Sequence, residues 1–104
     1  MVVLSIDTAR SDEIIVGITI EGRKYAARGN RGKENPQEVL SLVDQLLRKH
    51  TLQLKDIAAI HVSEGPGSFT GLRVGASVAN ALGFLLNVPI NGKPLGELIE
   101  PVYS

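Results

Sequence analysis

Three segments near the start of the chain, at residues 2–6, 13–20 and 23–28, predict strands, and in the second of them Ile14, Val16, Ile18 and Ile20 recur at every second position. A period of two is typical of β-strands that bury one face. Residues 21–22, Glu-Gly, separate the second and third segments and predict a tight turn. Because connections this short can join only antiparallel neighbours, the three strands are predicted to form a meander.

The next apolar residues have helical spacing and follow a helix start signal. Asn35 can accept a hydrogen bond from an unpaired backbone N–H, Pro36 has the φ angle of a first helical residue, and Glu38 completes a capping box. The predicted core face of this helix comprises Val39, Leu42, Val43, Leu46 and Leu47. Residues 48–50, Arg-Lys-His, predict its end, because the helix dipole favours positive charge there.

Residues 57–62 are apolar on both faces, as in a parallel strand that helices cover on each side. A second helix is predicted from about residue 70 to 87, and residues 88–90 predict a further short strand. The order β-β-β-α-β-α-β predicts an α/β fold, a mixed sheet with packed helices on the plan of a ribonuclease H-like or actin-like half. We expect residues 1–92 to form this domain and residues 93–104 to form a C-terminal tail.

The charge balance limits the classes of partner. The 104 residues include eleven Lys plus Arg and eleven Asp plus Glu, which disfavours binding to nucleic acid by bulk electrostatics. One basic cluster is an exception, and a solvated hairpin edge is its favoured interpretation, with direct nucleic-acid contact left open. It comprises Arg23, Lys24, Arg28, Arg31 and Lys33. The absence of cysteine, and of a basic leader with a long apolar run, leads us to expect a cytoplasmic protein.

The second helix is apolar around most of its circumference, although a helix on one sheet needs a single apolar face. Small residues recur every four positions along it and form a ridge that lets another backbone approach closely. This ridge can pack on a partner or on the chain's own sheet or first helix, and periodicity leaves both open. The predicted partner interface comprises Gly71, Leu72, Arg73, Gly75, Ala76, Val78, Ala79, Leu82 and Gly83, with Leu42 and Leu46 of the first helix. Gly75→Leu or Ala79→Arg is then expected to abolish association and leave the monomer folded.

A glycine-rich segment, residues 65–75, lies between the fourth strand and the second helix. Backbone N–H groups at such a helix start can bind phosphate. Its spacing is neither G-x-G-x-x-G nor that of a P-loop, which favours a structural turn with Ser68 or Thr70 as the helix cap. The candidates for a nucleotide site are Asp7, Thr8, Gly65, Gly67 and Ser68, although a turn-forming role is favoured for Asp7.

The same segment closely resembles the signature of the TsaB (YeaZ) family, through Gly65, Pro66, Gly67, Ser68, Phe69, Thr70, Gly71, Leu72 and Arg73. The resemblance extends to residues 4–8, 54–57 and 88–90. It implies an actin-like (ASKHA) fold and a non-catalytic subunit of the bacterial machinery that makes N6-threonylcarbamoyladenosine in tRNA. In that family the subunit pairs with the catalytic paralogue TsaD and, through the complex, with the ATPase TsaE. Only the N-terminal half of the family pattern is present, because the second actin-like half is missing.

Neither catalytic residues nor a metal site are predicted. His50 and His61 stand alone in the sequence, and no H-x-x-x-H pair provides the metal ligands that TsaD carries. His61, on an apolar strand, is interpreted as a hydrogen-bonded core or interface histidine.

The sequence therefore predicts a cytoplasmic, non-catalytic scaffold that pairs with a TsaD-like subunit through its two helices and contacts tRNA only indirectly. Alone, it is expected to form a homodimer. No cofactor is expected, with a nucleotide at a subunit interface left open, and no membrane span, because the apolar stretch is shorter than about 20 residues and contains Arg73. Two alternatives remain, a small nucleotide-binding phosphotransferase or hydrolase half and a homodimeric interaction module without a tRNA role.

Overall fold

The structure, a computed structural model, describes residues 1–10, 12–30 and 35–101. Within them it contains four strands and two helices, which confirms the predicted fold class and the order of these six elements. The strands are β1 (Val2–Asp7), β2 (Glu13–Ile20), β3 (Arg23–Asn30) and β4 (Ile57–Val62). The helices are α1 (Pro36–Lys49) and α2 (Phe69–Leu86), and a short 3-10 turn at Leu54–Asp56 precedes β4.

The four strands form one mixed sheet in the order β3-β2-β1-β4. β1 and β2 are antiparallel, as are β2 and β3, so the predicted meander is confirmed. Glu21 and Gly22 both have positive φ in the turn between β2 and β3, as a tight hairpin turn of the right twist requires. β4 is parallel to β1, which the crossover through α1 makes possible.

The predicted strand at residues 88–90 is wrong, because only Ile90 pairs with the sheet, in one parallel bridge to Ile60. Ile60 donates from its N to the Pro89 carbonyl at 3.0 Å, and Asn91 donates from its N to the Ile60 carbonyl at 2.8 Å. Asn91 then turns the chain away with a φ of 53°. Its side-chain amide bonds both backbone groups of Val62, at 2.8 and 3.0 Å, and so replaces the next rung of the ladder.

Local signals define both helices as the sequence predicts. Asn35 caps α1, since its Oδ1 accepts a hydrogen bond from the Glu38 N at 3.0 Å, and Pro36 is the first helical residue. Ser68 caps α2, and its Oγ accepts from the Gly71 N at 3.2 Å. Asn87, in the left-handed conformation with a φ of 56°, ends that helix.

Both helices pack on one face of the sheet, where the apolar residues of all six elements form the core. From the first two strands, this core includes Val2, Leu4, Ile6, Ile14, Val16 and Ile18. The expectation that helices cover β4 on both faces is wrong within the described chain, since Ala58 and His61 are exposed. His61 is therefore not a core residue of this chain. Its side chain lies on the face of the sheet that neither helix covers.

The segment after α2 is attached to the domain as far as Pro101. Ile99 is buried, and its backbone N and O both bond to the side-chain amide of Asn80 on α2, at 2.8 and 3.2 Å. These two bonds hold the segment along the C-terminal half of the helix. The predicted division of the chain at residue 92 stays a prediction.

Candidate functional site

The glycine-rich loop before α2 lies against the connection between β1 and β2. Ser68 donates from its backbone N to the Ala9 carbonyl at 2.9 Å. A Cβ atom at Gly67 would lie 2.6 Å from that carbonyl oxygen and 2.7 Å from the Ala9 Cβ. Gly67 is therefore required by the close approach of two backbones, and Gly65 by its φ of 111°.

Thr8 joins this loop to the first turns of α2, a role that the sequence did not reveal. The Thr8 side chain is fully buried, and its Oγ1 donates to the Gly71 carbonyl at 2.5 Å. A Cβ atom at Gly75 would overlap Thr8 Oγ1. The glycine at position 75 therefore makes room for the threonine, and the threonine fixes the start of α2 against β1.

The five candidates for a nucleotide site lie at or just after the carboxyl ends of the parallel strands β1 and β4: Asp7, Thr8, Gly65, Gly67 and Ser68. Their polar groups bond to the chain itself: Asp7 Oδ1 accepts from the Ala9 N at 3.0 Å, and Ser68 Oγ caps α2. This arrangement holds two loops together. Among the described residues, no three His, Asp or Glu side chains gather as metal ligands. Nucleotide binding stays a prediction.

The predicted interface needs a correction, because ten of its eleven residues are buried inside this chain and only Arg73 is exposed. The small-residue ridge packs on the chain's own sheet. A Cβ atom at Gly83 would lie 2.6 Å from Ile90 Cδ1, and one at Gly75 would lie 3.4 Å from Val62 Cγ2. Of the two alternatives that periodicity left open, the structure shows the intramolecular one. Gly75→Leu is therefore not a test of association alone, since it disrupts the core.

A second apolar face of α2 points away from the sheet. Phe69 is 57 % exposed, Phe84 is 86 % exposed and Leu85 is 70 % exposed. On α1, Leu40 is also exposed, one turn beyond Pro36. We call this face the outer helical surface. It comprises Phe69, Thr70, Arg73, Val74, Ser77, Ala81, Phe84 and Leu85 of α2, with Pro36 and Leu40 of α1.

A depression of about 300 Å³ lies in the outer helical surface, where the N-terminal parts of the two helices meet. It is lined by Pro36, Phe69, Thr70, Arg73, Val74 and Ser77. The Arg73 guanidinium carbon lies 5.7 Å from the centroid of the Phe69 ring, within cation–π range. The depression therefore combines apolar walls with one cation.

The bare face of the sheet forms a larger, open trough of about 870 Å³. The register places Ala26, Gly17, Ser5 and His61 side by side across the four strands, and larger side chains, among them Val3, Ile15 and Thr19, also line the trough. Asp7 and Lys24 are among the groups that line it. The trough has mixed polarity and no cluster of groups that indicates a particular reaction.

The basic cluster lies at the edge of the sheet, as a solvated hairpin edge would. Arg23 and Lys24 are exposed on β3. Arg28 bonds to the Glu13 carboxylate at 2.7 Å, so its charge is balanced within the chain. Arg31 and Lys33 lie outside the described residues, and nucleic-acid contact by this cluster stays a prediction.

By length and composition, α2 is the one helix in the described part of the chain that could cross a membrane. Eight of its residues are buried against the rest of the domain. Core helices of soluble proteins meet the same criterion, so this is weak support for a span.

Comparison with known proteins gives consistent results at the level of families. Residues 32–92 match the family model described as TsaD, tRNA N6-adenosine threonylcarbamoyltransferase. The chain is 32 % identical over 91 residues to the tRNA threonylcarbamoyladenosine biosynthesis protein TsaB of Buchnera aphidicola subsp. Schizaphis graminum, covering 88 % of this chain and 43 % of that protein. It is 34 % identical over 92 residues to TsaB of Escherichia coli K12, covering 88 % of this chain and 39 % of that protein.

Solved structures show the same relationship. YeaZ from Pseudomonas aeruginosa superimposes with a TM-score of 0.78 at 30 % identity, covering 86 % of this chain and 41 % of that one. A protein described as similar to peptidase YEAZ from Pseudomonas aeruginosa gives 0.79 at 27 %, covering 99 % and 43 %. The chain thus spans about two fifths of the length of these relatives. It belongs to the TsaB (YeaZ) family and has an actin-like fold.

Proposed function

We propose that this chain is a non-catalytic subunit in the formation of tRNA N6-threonylcarbamoyladenosine, and that it pairs with the threonylcarbamoyltransferase through the outer helical surface. The names of its relatives support the pathway. The main support for this pairing is the exposure of Phe84, Leu85 and Phe69 on α2. The opposite face of the helix is already buried in the core, so these side chains are available to a partner.

α2 has a second apolar face beyond the one that packs on the sheet. A helix that packs on one sheet needs one apolar stripe, and the stripe on the sheet side meets that need. Burying one more large apolar side chain stabilises an assembly by about 1.5–3 kcal/mol. Several such side chains on one exposed helix face mark a site of protein association.

The proposed lack of catalysis is supported by the glycine-rich loop. The polar groups of Asp7, Thr8 and Ser68 bond to the backbone of this chain and hold α2 in place. In this proposal the transferase subunit supplies the chemistry in the cytoplasm, the TsaE-like ATPase joins through the complex, and tRNA is contacted indirectly. Without the transferase, two copies of the chain pair through the same surface.

The test is the solution mass by light scattering, for the chain alone and after mixing with the TsaD-like protein of the same organism. We expect a mixed species that replaces any homodimer. Phe84→Glu should abolish it, because a charge then lies in the apolar contact. The matched control is Leu54→Glu, an exposed leucine on the 3-10 turn before β4, which should pair normally. The absence of a mixed species at micromolar concentrations would contradict the proposal and favour a homodimeric module.

A measurement of nucleotide binding distinguishes the proposed non-catalytic subunit from the enzyme alternative. Titration calorimetry of the chain with ATP and magnesium should give no binding heat if the loop between β4 and α2 is structural. Binding that Ser68→Ala weakens would favour a nucleotide-binding phosphotransferase or hydrolase half instead.

A further inference from the structure

Arg73 is the only charged residue among the 18 residues of α2. Among the described residues, no carboxylate lies within ion-pairing distance of its guanidinium. Four other cations of the described chain are paired, Arg10 with Asp12, Arg28 with Glu13, Arg48 with Asp44, and Lys93 with Glu64, whereas Arg23 and Lys24 are exposed on β3. Arg73 instead lies over the Phe69 ring at the rim of the depression.

A cation without an ion pair costs little free energy while water solvates it, but more when a partner covers it. Burial of an uncompensated charge is unfavourable, whereas burial with a hydrogen-bonded carboxylate can be favourable. If the outer helical surface is an interface, as the proposed function requires, the partner must bring a negative group to Arg73. Arginine suits this position because its planar guanidinium can stack on an aromatic ring and bond a carboxylate at the same time.

A second copy of the chain is a poor source of a carboxylate for Arg73. Two-fold pairing would place the outer helical surface against itself, and α2 has no acidic residue. On α1, Asp44 accepts from the Arg48 Nε at 2.8 Å. The Glu38 carboxylate lies on the side of β3, within 3.0 Å of a Cβ position at Gly29. Self-pairing would therefore bring two copies of Arg73 to one interface, while Asp44 already pairs with Arg48 and the Glu38 carboxylate lies toward β3.

We propose that Arg73 determines the partner specificity of the outer helical surface. Its guanidinium, held over Phe69, receives an aspartate or glutamate of the transferase subunit in the depression between α1 and α2. This pairing favours the mixed dimer over the homodimer. The inference rests on the proposed function and adds the chemistry of the partner's contact.

The test compares the dissociation constant of the mixed dimer for the wild-type chain, Arg73→Gln and Arg73→Glu, at low and high salt. We expect Arg73→Gln to weaken mixed pairing by about tenfold or more and to reduce its salt dependence, with a larger loss for Arg73→Glu. The matched control is Arg48→Gln, an exposed arginine already paired within α1, which should change affinity by less than about twofold. Homodimerisation of Arg73→Gln should be unchanged or stronger. Circular dichroism verifies that each variant is folded.

The outcomes separate the two proposals. If the wild-type chain forms no mixed dimer, both the proposed function and this inference are wrong. If the wild type pairs but Arg73→Gln pairs as tightly and with the same salt dependence, only the role of Arg73 is wrong. An equal loss in homodimer and mixed dimer would show a general contact and overturn the specificity. Rescue of Arg73→Glu by an acid-to-lysine change in the transferase would support the proposed pair.

Discussion

The inner and outer faces of α2 are both apolar, but they differ in the size of their side chains. On the inner face, Gly75 and Gly83 let the helix approach Thr8 and Ile90 closely. On the outer face, Phe69 and Phe84 extend from the domain. Small side chains allow close contact with the chain's own sheet, while large exposed ones offer area to a partner. The comparison shows that a ridge of small residues can serve the fold rather than the assembly.

Gly75→Leu should have the largest effect on the free energy of unfolding. The new side chain would overlap Thr8 Oγ1, so either α2 must move from β1 or Thr8 must give up its hydrogen bond. We expect a loss of about 3 kcal/mol or more, measured by urea denaturation. Ser77→Leu adds a leucine to the outer face and should leave unfolding nearly unchanged. A stably folded Gly75→Leu monomer that no longer associates would reverse the assignment of the two faces.

Thr8→Val should also lower the free energy of unfolding through the contact between Thr8 and α2, but by less than Gly75→Leu. Valine fills a similar volume but cannot donate to the Gly71 carbonyl, which lies in a buried part of α2. We expect a loss of about 1–2 kcal/mol, because the buried hydrogen bond that joins Thr8 to α2 is removed. Thermal unfolding measures this loss, and Thr8→Ser, which retains the hydroxyl, should recover part of it. Equal stability of the valine variant would show that the hydroxyl does not hold α2 in place.

Phe84→Glu should hardly change unfolding, although we expect it to abolish pairing. The side chain is 86 % exposed, so the folded monomer loses little packing. We expect a change within about 0.5 kcal/mol in the free energy of unfolding, measured on dilute monomer. A large destabilisation would mean that the outer face also belongs to the monomer's core.

The smallest effect should come from a charge pair outside both faces. The hydrogen bond from Arg10 lowers the pKa of the Asp12 carboxyl. A carboxyl whose pKa is lower in the folded than in the unfolded chain adds stability above its unfolded pKa and loses that stability as the pH falls through its folded pKa. Both side chains are well exposed, so the difference in melting temperature between wild type and Asp12→Asn should be slight at neutral pH. It should vanish on acidification below the lowered pKa. A difference in melting temperature that grows on acidification would contradict the lowered pKa of Asp12.

Sequence reasoning was most successful where a residue type has a strong local preference. Asn35 and Pro36 predicted the start of α1, and the alternating residues of β2 predicted a half-buried strand. It failed at residues 88–90, where the Asn91 side chain replaces a strand rung, a contact about thirty residues away in the chain. Thr8 was assigned only to the nucleotide-site candidates, because nothing in its neighbours indicates that Gly71 accepts its hydrogen bond.

The sequence by itself determined the fold class, the boundaries of the helices and the resemblance to the TsaB family, because these depend on local propensity, periodicity and a contiguous motif. Only the tertiary structure decided which apolar face of α2 meets the sheet. Helical periodicity gives the positions that share a face, but not what lies opposite them. That depends on Thr8, Val62 and Ile90, residues from three other parts of the chain that fit against glycine and leave the bulky residues outside.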